Sequence, residues 1–224
     1  MKLNKIRKRC IFLGMGIFLV LIAVLAVRAN IKPKLNSVSE ELKSAAFTYR
    51  IIAEQEGDGC HLNRLDIYSE GKRFQDIKLG GVVKCFDGSK NRYAIIEDVN
   101  FDNYEDIRIK KDNGGAYNAP NYRYFLYDGQ SKRFKPSDDL NALNMSGPSF
   151  NKALGTFEYT HKAAGYCGYI NQKFSWRDGK PEMVSEEEEI CDLEKEAITS
   201  ITRGFDANGK FTELSRRERA LERQ

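Results

Sequence analysis

Tyr93-Ala94-Ile95-Ile96-Glu97-Asp98-Val99-Asn100-Phe101-Asp102-Asn103-Tyr104-Glu105-Asp106-Ile107-Arg108-Ile109 is the stretch on which the reading of this chain turns. Its ends are strand-like: aromatic and β-branched residues enter at Tyr93–Glu97 and leave at Ile107–Ile109. Between them, oxygen-bearing side chains recur at every second position. Counting Asp98 as position one, Asp98, Asn100 and Asp102 present oxygens at positions one, three and five. Tyr104 offers its backbone carbonyl at position seven, and Asp106 binds directly or through water at position nine. That is the ligand layout of a calcium loop through nine positions. Asn103 stands at position six, where the turn needs positive φ, and Asn is one of the few residues that accept it. Position twelve is Ile109 rather than Glu, and the loop leads into a strand rather than a helix, so it is not an EF-hand. Phe101 is the residue expected to pin the loop to the sheet. The expectation is therefore a β-rich scaffold braced by Ca2+ at Asp98, Asn100, Asp102, Tyr104 and Asp106.

The same alternation recurs on either side of this loop. Phe47–Ile52, Leu65–Tyr68 and Phe74–Leu79 read as strands, the last two joined by the turn Ser69-Glu70-Gly71-Lys72. Tyr122–Tyr127 and Phe134 flank Asp128-Gly129. Asp138–Leu143 reads as a short helical turn capped by Ser137 or Asp138. Gly155–Thr160 is a further strand. Ile170–Trp176 and Pro181–Ser185 flank Asp178-Gly179, and Ala197–Thr202 and Phe211-Thr212 flank Asn208-Gly209, both hairpin signals. The run Asp206–Lys210 begins like the acidic loop, but Lys210 puts a cation where a ligand oxygen is needed, so it reads as a hairpin turn. The fold class is all-β and mainly antiparallel, a β-sandwich or flattened barrel with a calcium-loop insertion. Residues 46–213 form the β-rich domain, 30–45 a linker with a short helix near Ser39–Ser44, and 214–224 a charged, helical tail.

The first 29 residues are of another kind. Lys2, Lys5, Arg7, Lys8 and Arg9 precede an apolar helix-forming stretch from Ile11 to Val27, followed by Val27-Arg28-Ala29. The order of charge, apolar core and small residues is that of a secretory signal peptide, and the 17-residue apolar length also suits a retained inner-membrane anchor. Both readings send residues 30–224 across the membrane. Without residues 1–29, which hold six basic and no acidic residues, the chain's 36 basic and 32 acidic residues become 30 and 32, a net charge of −2. Nothing in 30–224 resembles a basic, aromatic-rich stripe, so nucleic acid is not an expected partner. Cys60, Cys85, Cys167 and Cys191 lie beyond the leader, an even number suited to an oxidising compartment. Four cysteines allow three pairings, of which Cys60–Cys85 and Cys167–Cys191 close the short loops around predicted hairpins.

Catalysis has little material. There are two His (His61, His161), no Gly-x-Ser-x-Gly elbow and no His-Glu-x-x-His, and the acids Glu186–Glu189 read as a solvated edge. The chain is expected not to be an enzyme.

The segments Glu97–Ile109, Tyr124-Phe125-Leu126-Tyr127-Asp128, Arg133–Leu140 and Asn144–Phe150, with Phe174-Ser175-Trp176, resemble an exported bacterial family carrying FG-GAP/VCBS-like calcium loops and similar to lysozyme inhibitors. The likeness covers roughly residues 90–185; Glu186 onward has no counterpart. The resemblance implies a periplasmic immunity protein of a Gram-negative bacterium, which blocks the cleft of a lysozyme-like peptidoglycan hydrolase delivered by a type IV secretion system. It also implies a calcium-braced sandwich that inserts a loop into the enzyme. The candidate loop is Lys162–Tyr169: Ala164 and Gly165 are small enough for a narrow cleft, and Tyr166 and Tyr169 supply rigid amphipathic anchors. Cys167, once bridged, would stiffen it. A carbohydrate-binding or structural calcium module of the cell envelope is the alternative.

Overall fold

The computed structural model describes residues 36–85, 92–112, 114, 120–162 and 168–221. The leader 1–29 lies outside them. Among the described residues no helix is long and apolar enough to cross a membrane.

Strands make up three antiparallel sheets. The first holds β1 (Asn36–Lys43), β2 (Thr48–Glu56), β3 (Gly59–Ser69) and β4 (Lys72–Lys78), with β5 (Val82–Lys84) added beside β3. The middle sheet is a meander of β6 (Ala94–Glu97), β7 (Asp106–Lys110), β8 (Tyr122–Asp128) and β9 (Arg133–Pro136). The long sheet runs in chain order through β10 (Ser149–Asn151), β11 (Thr156–Lys162), β12 (Tyr169–Arg177), β13 (Lys180–Asp192), β14 (Ala197–Phe205) and β15 (Phe211–Ala220). None of the three closes into a barrel, so the sandwich alternative holds and the flattened barrel does not.

Period-two alternation explains how the layers stack. On β8, Phe125 and Tyr127 pack into a core shared with Tyr49, Ile51, Leu65 and Ile67 of the first sheet. Tyr122, Tyr124 and Leu126 of the same strand pack into a second core with Phe157, Phe174 and Trp176 of the long sheet. The middle sheet is thus covered on both faces. Glu40 ties β1 to the middle sheet: its carboxylate accepts from the Tyr93 backbone N–H at 2.6 Å, and burial raises its pKa against the pull of that hydrogen bond.

The helix α1 (Asp138–Leu143) is capped by Ser137, whose side chain accepts from Leu140 N–H. It extends β8's hydrogen bonding past the end of β9. The Asn141 amide oxygen accepts from Tyr124 N–H, and its amide nitrogen donates to Tyr124 C=O.

Cys60 and Cys85 form a disulfide that fastens β3 to the end of β5. A loop of 25 residues closed this way contributes about 3.5 kcal/mol in the chain-entropy view. Cys191 is disulfide-bonded as well; Cys167, its expected partner, lies outside the described residues.

Three expectations are corrected. Residues 36–43 are not linker or helix but β1, an edge strand held by its neighbour and by Glu40. The charged tail is not helical. β15 runs through Ala220, paired with β14 as far as Ala197↔Ala220, because a neighbouring strand outweighs the helical propensity of Leu, Arg and Glu. The acids Glu186–Glu189 are not an edge. They sit on β13, inside the sheet, and alternate between its faces. Glu186 and Glu188 share the Arg203 guanidinium, while Glu189 accepts from Ser200 Oγ.

Candidate functional site

The acidic loop joins β6 to β7, as the alternation requires, and its backbone turns through positive φ at Phe101 (63°) and Asn103 (73°). The expected role of Asn103 is met. Phe101 is not the buried anchor, being only half-buried. Val99, fully buried in the core against the long sheet, takes that role, and its carbonyl accepts from Trp176 Nε1–H at 2.9 Å. Val99 stands between Asp98 and Asn100, the first two oxygen-bearing positions, so its burial has no periodic signal.

The oxygens are arranged in two tiers. Asp98 Oδ2 accepts from Asn103 N–H at 3.0 Å and from the Lys152 ammonium at 2.7 Å. Asn100 Oδ1 accepts from Asp102 N–H, Asp102 Oδ1 from Tyr104 N–H, and Asp102 Oδ2 from the Asn100 amide. These three side chains form the open tier. Asp106 is the deep tier, fully buried, with Oδ2 accepting from Val99 N–H at 3.1 Å and Oδ1 from Tyr127 N–H at 2.8 Å. Burial pushes its carboxyl up to about 7, two backbone N–H groups pull the other way, and the charges of Asp102 and Asp98 add to the rise. Asp106 therefore braces the loop to β8, and any direct bond to a cation would use its remaining lone pairs. Tyr104 is half-exposed and lies against Gly129 and the Tyr127 ring.

The residues fit a hard cation in part. Asp98 Oδ1 is buried without a hydrogen-bond partner, and Asp98 and Asp102 are close enough to raise the pKa of Asp106. Those are the conditions a divalent ion would relieve. Among the described residues no group of three or more His, Cys, Asp and Glu stands ready-made to hold a metal, so the Asn100 amide and backbone carbonyls would have to complete the set.

The second candidate site is a hairpin. Strand β11 pairs with β12 from Thr156↔Ser175 out to Lys162↔Tyr169, so 163–168 is the connection at their end. Ala164, Gly165 and Tyr166 lie outside the described residues; Tyr169 is the first residue of β12. Behind it, His161 stacks on Tyr159 with ring centroids 5.6 Å apart. Tyr159 O–H donates to Gln172, whose amide donates to Glu186, which meets Arg203. This chain of polar contacts crosses four strands on one face and fixes the hairpin's base. Register places Tyr169 on the other face, in one row with Lys162, Glu189, Ser200 and Arg217. The two candidate sites thus sit on different sheets.

No protein-family model matches the chain, and a comparison with curated proteins gives no match either. The fold is nevertheless shared. A solved structure described as a Xanthomonas type IV secretion system related protein superposes with a TM-score of 0.60, covering 82% of this chain and 95% of the other at 16% identity. At that identity the likeness establishes the fold.

Proposed function

We propose that this protein is an exported, calcium-stabilised inhibitor, an immunity protein that blocks the active-site cleft of a lysozyme-like peptidoglycan hydrolase in the periplasm. The observation that carries this reading is the shared fold with a type IV secretion system related protein over most of both chains. Three features support it. The leader and the disulfides suit an oxidising compartment outside the cytoplasm. The β11–β12 hairpin is held at its base by a network of ring and side-chain contacts, which lowers the ordering cost of inserting its tip into a cleft. Two buried carboxylates serve as braces, Asp106 and Glu40 both accepting from backbone N–H groups. Ala164, Gly165, Tyr166 and Tyr169 are the proposed contact residues.

Calcium has a supporting role in this proposal. Asp98, Asn100 and Asp102 would hold it, with the Tyr104 carbonyl and Asp106 beneath. The ion would neutralise the carboxylate cluster and stiffen the link between β6 and β7. Melting curves with millimolar calcium and with excess chelator test this; identical curves would remove the ion from the account.

The inhibitor reading is tested by turbidity clearing of purified peptidoglycan by a panel of lysozyme-like hydrolases. Stoichiometric protection by the full chain is the expected result. Full hydrolysis in its presence, or binding to peptidoglycan with no hydrolase added, would favour the envelope carbohydrate-binding module instead.

A further inference from the structure

The outer face of β14 and β15 carries a concavity of about 490 Å3 lined by Ser200, Thr202, Ser215, Arg217, Glu218 and Arg219. Register explains the lining. Ser200 faces Arg217 and Thr202 faces Ser215 across the pair, so three hydroxyls and a guanidinium project to one side. Arg219, two residues beyond Arg217, is on that side too, about 6.8 Å along an extended strand. Both arginines are exposed, and β15 ends the sheet, leaving its outer backbone edge open among the described residues.

The arginines of β15 are not used alike. Arg216, on the opposite face, is held by Glu213 through both Nε and Nη2. Arg219 reaches Glu189 only at 3.5 Å. Arg217 has no ion-pair or hydrogen-bond partner among the described residues, although three hydroxyl side chains surround it. Charges on an edge strand guard against aggregation, and Arg216, Glu213 and Glu218 suffice for that. Guarding does not require a hollow lined by three hydroxyls, Glu218 and two arginines, one of which has no ion-pair partner among the described residues. Such a set is built to take a planar oxyanion: two parallel N–H donors from Arg217, with hydroxyls to either side.

We propose that this trough is a docking site for side-chain carboxylates of a protein partner, continuing the contact surface from Tyr169 across the sheet to its edge. Two observations favour an isolated carboxylate over a continuous polyanion. Glu189 lies in the row of Arg217, and Glu187 in the row of Thr202 and Ser215. A polyanion laid across the sheet would run over both. The chain beyond the leader is also net negative, 30 basic against 32 acidic residues, and offers no long-range attraction to one. The site's anion chemistry stands on its geometry; the choice of a protein as the source rests on the inhibitor reading.

The test is a titration of the full chain, in a zwitterionic detergent at low salt, with a Gly/Ser peptide that carries one glutamate and has both ends blocked. Arg217→Glu is expected to weaken binding at least tenfold, Arg217→Lys less, and Arg216→Glu, which makes the same charge change on the other face, not at all. Equal losses for Arg217→Glu and Arg216→Glu would reduce the effect to net charge and overturn the proposal. So would absence of peptide binding, or tighter Arg217-dependent binding of inorganic phosphate or of phosphatidylglycerol vesicles. Circular dichroism of each variant checks the fold. Because the titration contains no hydrolase, failure of hydrolase protection would sink the inhibitor reading without changing this result.

Discussion

The acidic loop and the outer face of the long sheet are both rich in charge, and they use it in opposite ways. In the loop most of the Asp and Asn oxygens accept from backbone N–H groups, Asp98 Oδ1 being a buried exception, and Asp106 is fully buried. On the outer face, Arg217 lines the trough with three hydroxyl side chains, Glu218 and Arg219, and has no ion-pair partner among the described residues. Internally satisfied charge holds a shape, whereas unsatisfied exposed charge waits for a partner. On the proposals above, the first region serves stability and the second recognition.

The largest expected effect breaks the loop. Asp106→Ala orphans two buried N–H groups, those of Val99 and Tyr127, and should cost about 2–4 kcal/mol in a denaturant titration. A cost near zero would mean that the loop braces nothing. Next, Lys152 places an ammonium on Asp98, where it competes with any divalent ion. Lys152→Met should tighten calcium binding by about tenfold at low salt, the scale of one screened charge acting on a doubly charged ion. Unchanged affinity in calorimetry would argue that the ion is not at Asp98.

Glu40 gives a smaller effect with a definite sign. Its folded pKa is raised by burial, so its contribution to stability is fully present below the unfolded value of 4.5 and is lost as pH rises through the folded value. Acidification from neutrality toward 4.5 should therefore recover stability from this group, and Glu40→Gln should flatten that part of the curve of melting temperature against pH. A steeper curve in the variant would contradict the assignment. The smallest effect is expected at the outer face: Arg217→Ala should change stability by less than about 0.5 kcal/mol, as exposed substitutions do.

Much of the scaffold was legible in the sequence because alternation and Asp-Gly or Asn-Gly turns are local signals. Asp178-Gly179 and Asn208-Gly209 each close the hairpin they announce, with positive φ at Gly179 and Gly209. Ser137 caps its helix as read. What escaped depends on distant partners. Leu214–Arg219 has helical propensity and becomes a strand because β14 lies beside it. Asn36–Lys43 carries no strong pattern and is recruited by β2 and by Glu40. The acidic loop was visible as a string of oxygens, but whether Phe101 or Val99 is buried depends on Trp176, 77 residues away. The Arg217 trough was invisible because its lining comes from two strands, one of them misread as a tail. A strand reading of 211–220 would have placed Arg217 and Arg219 on a shared face.

The most direct test measures thermal midpoint and hydrolase inhibition on the same two sets of variants. Asp98→Ala and Asp102→Ala should lower the midpoint while leaving the inhibition constant of the folded fraction unchanged. Tyr169→Ala and Arg217→Glu should leave the midpoint in place and weaken inhibition by at least tenfold. The reverse pattern, with recognition lost at the acidic loop and stability lost at the outer face, would contradict the division of labour described for the two regions.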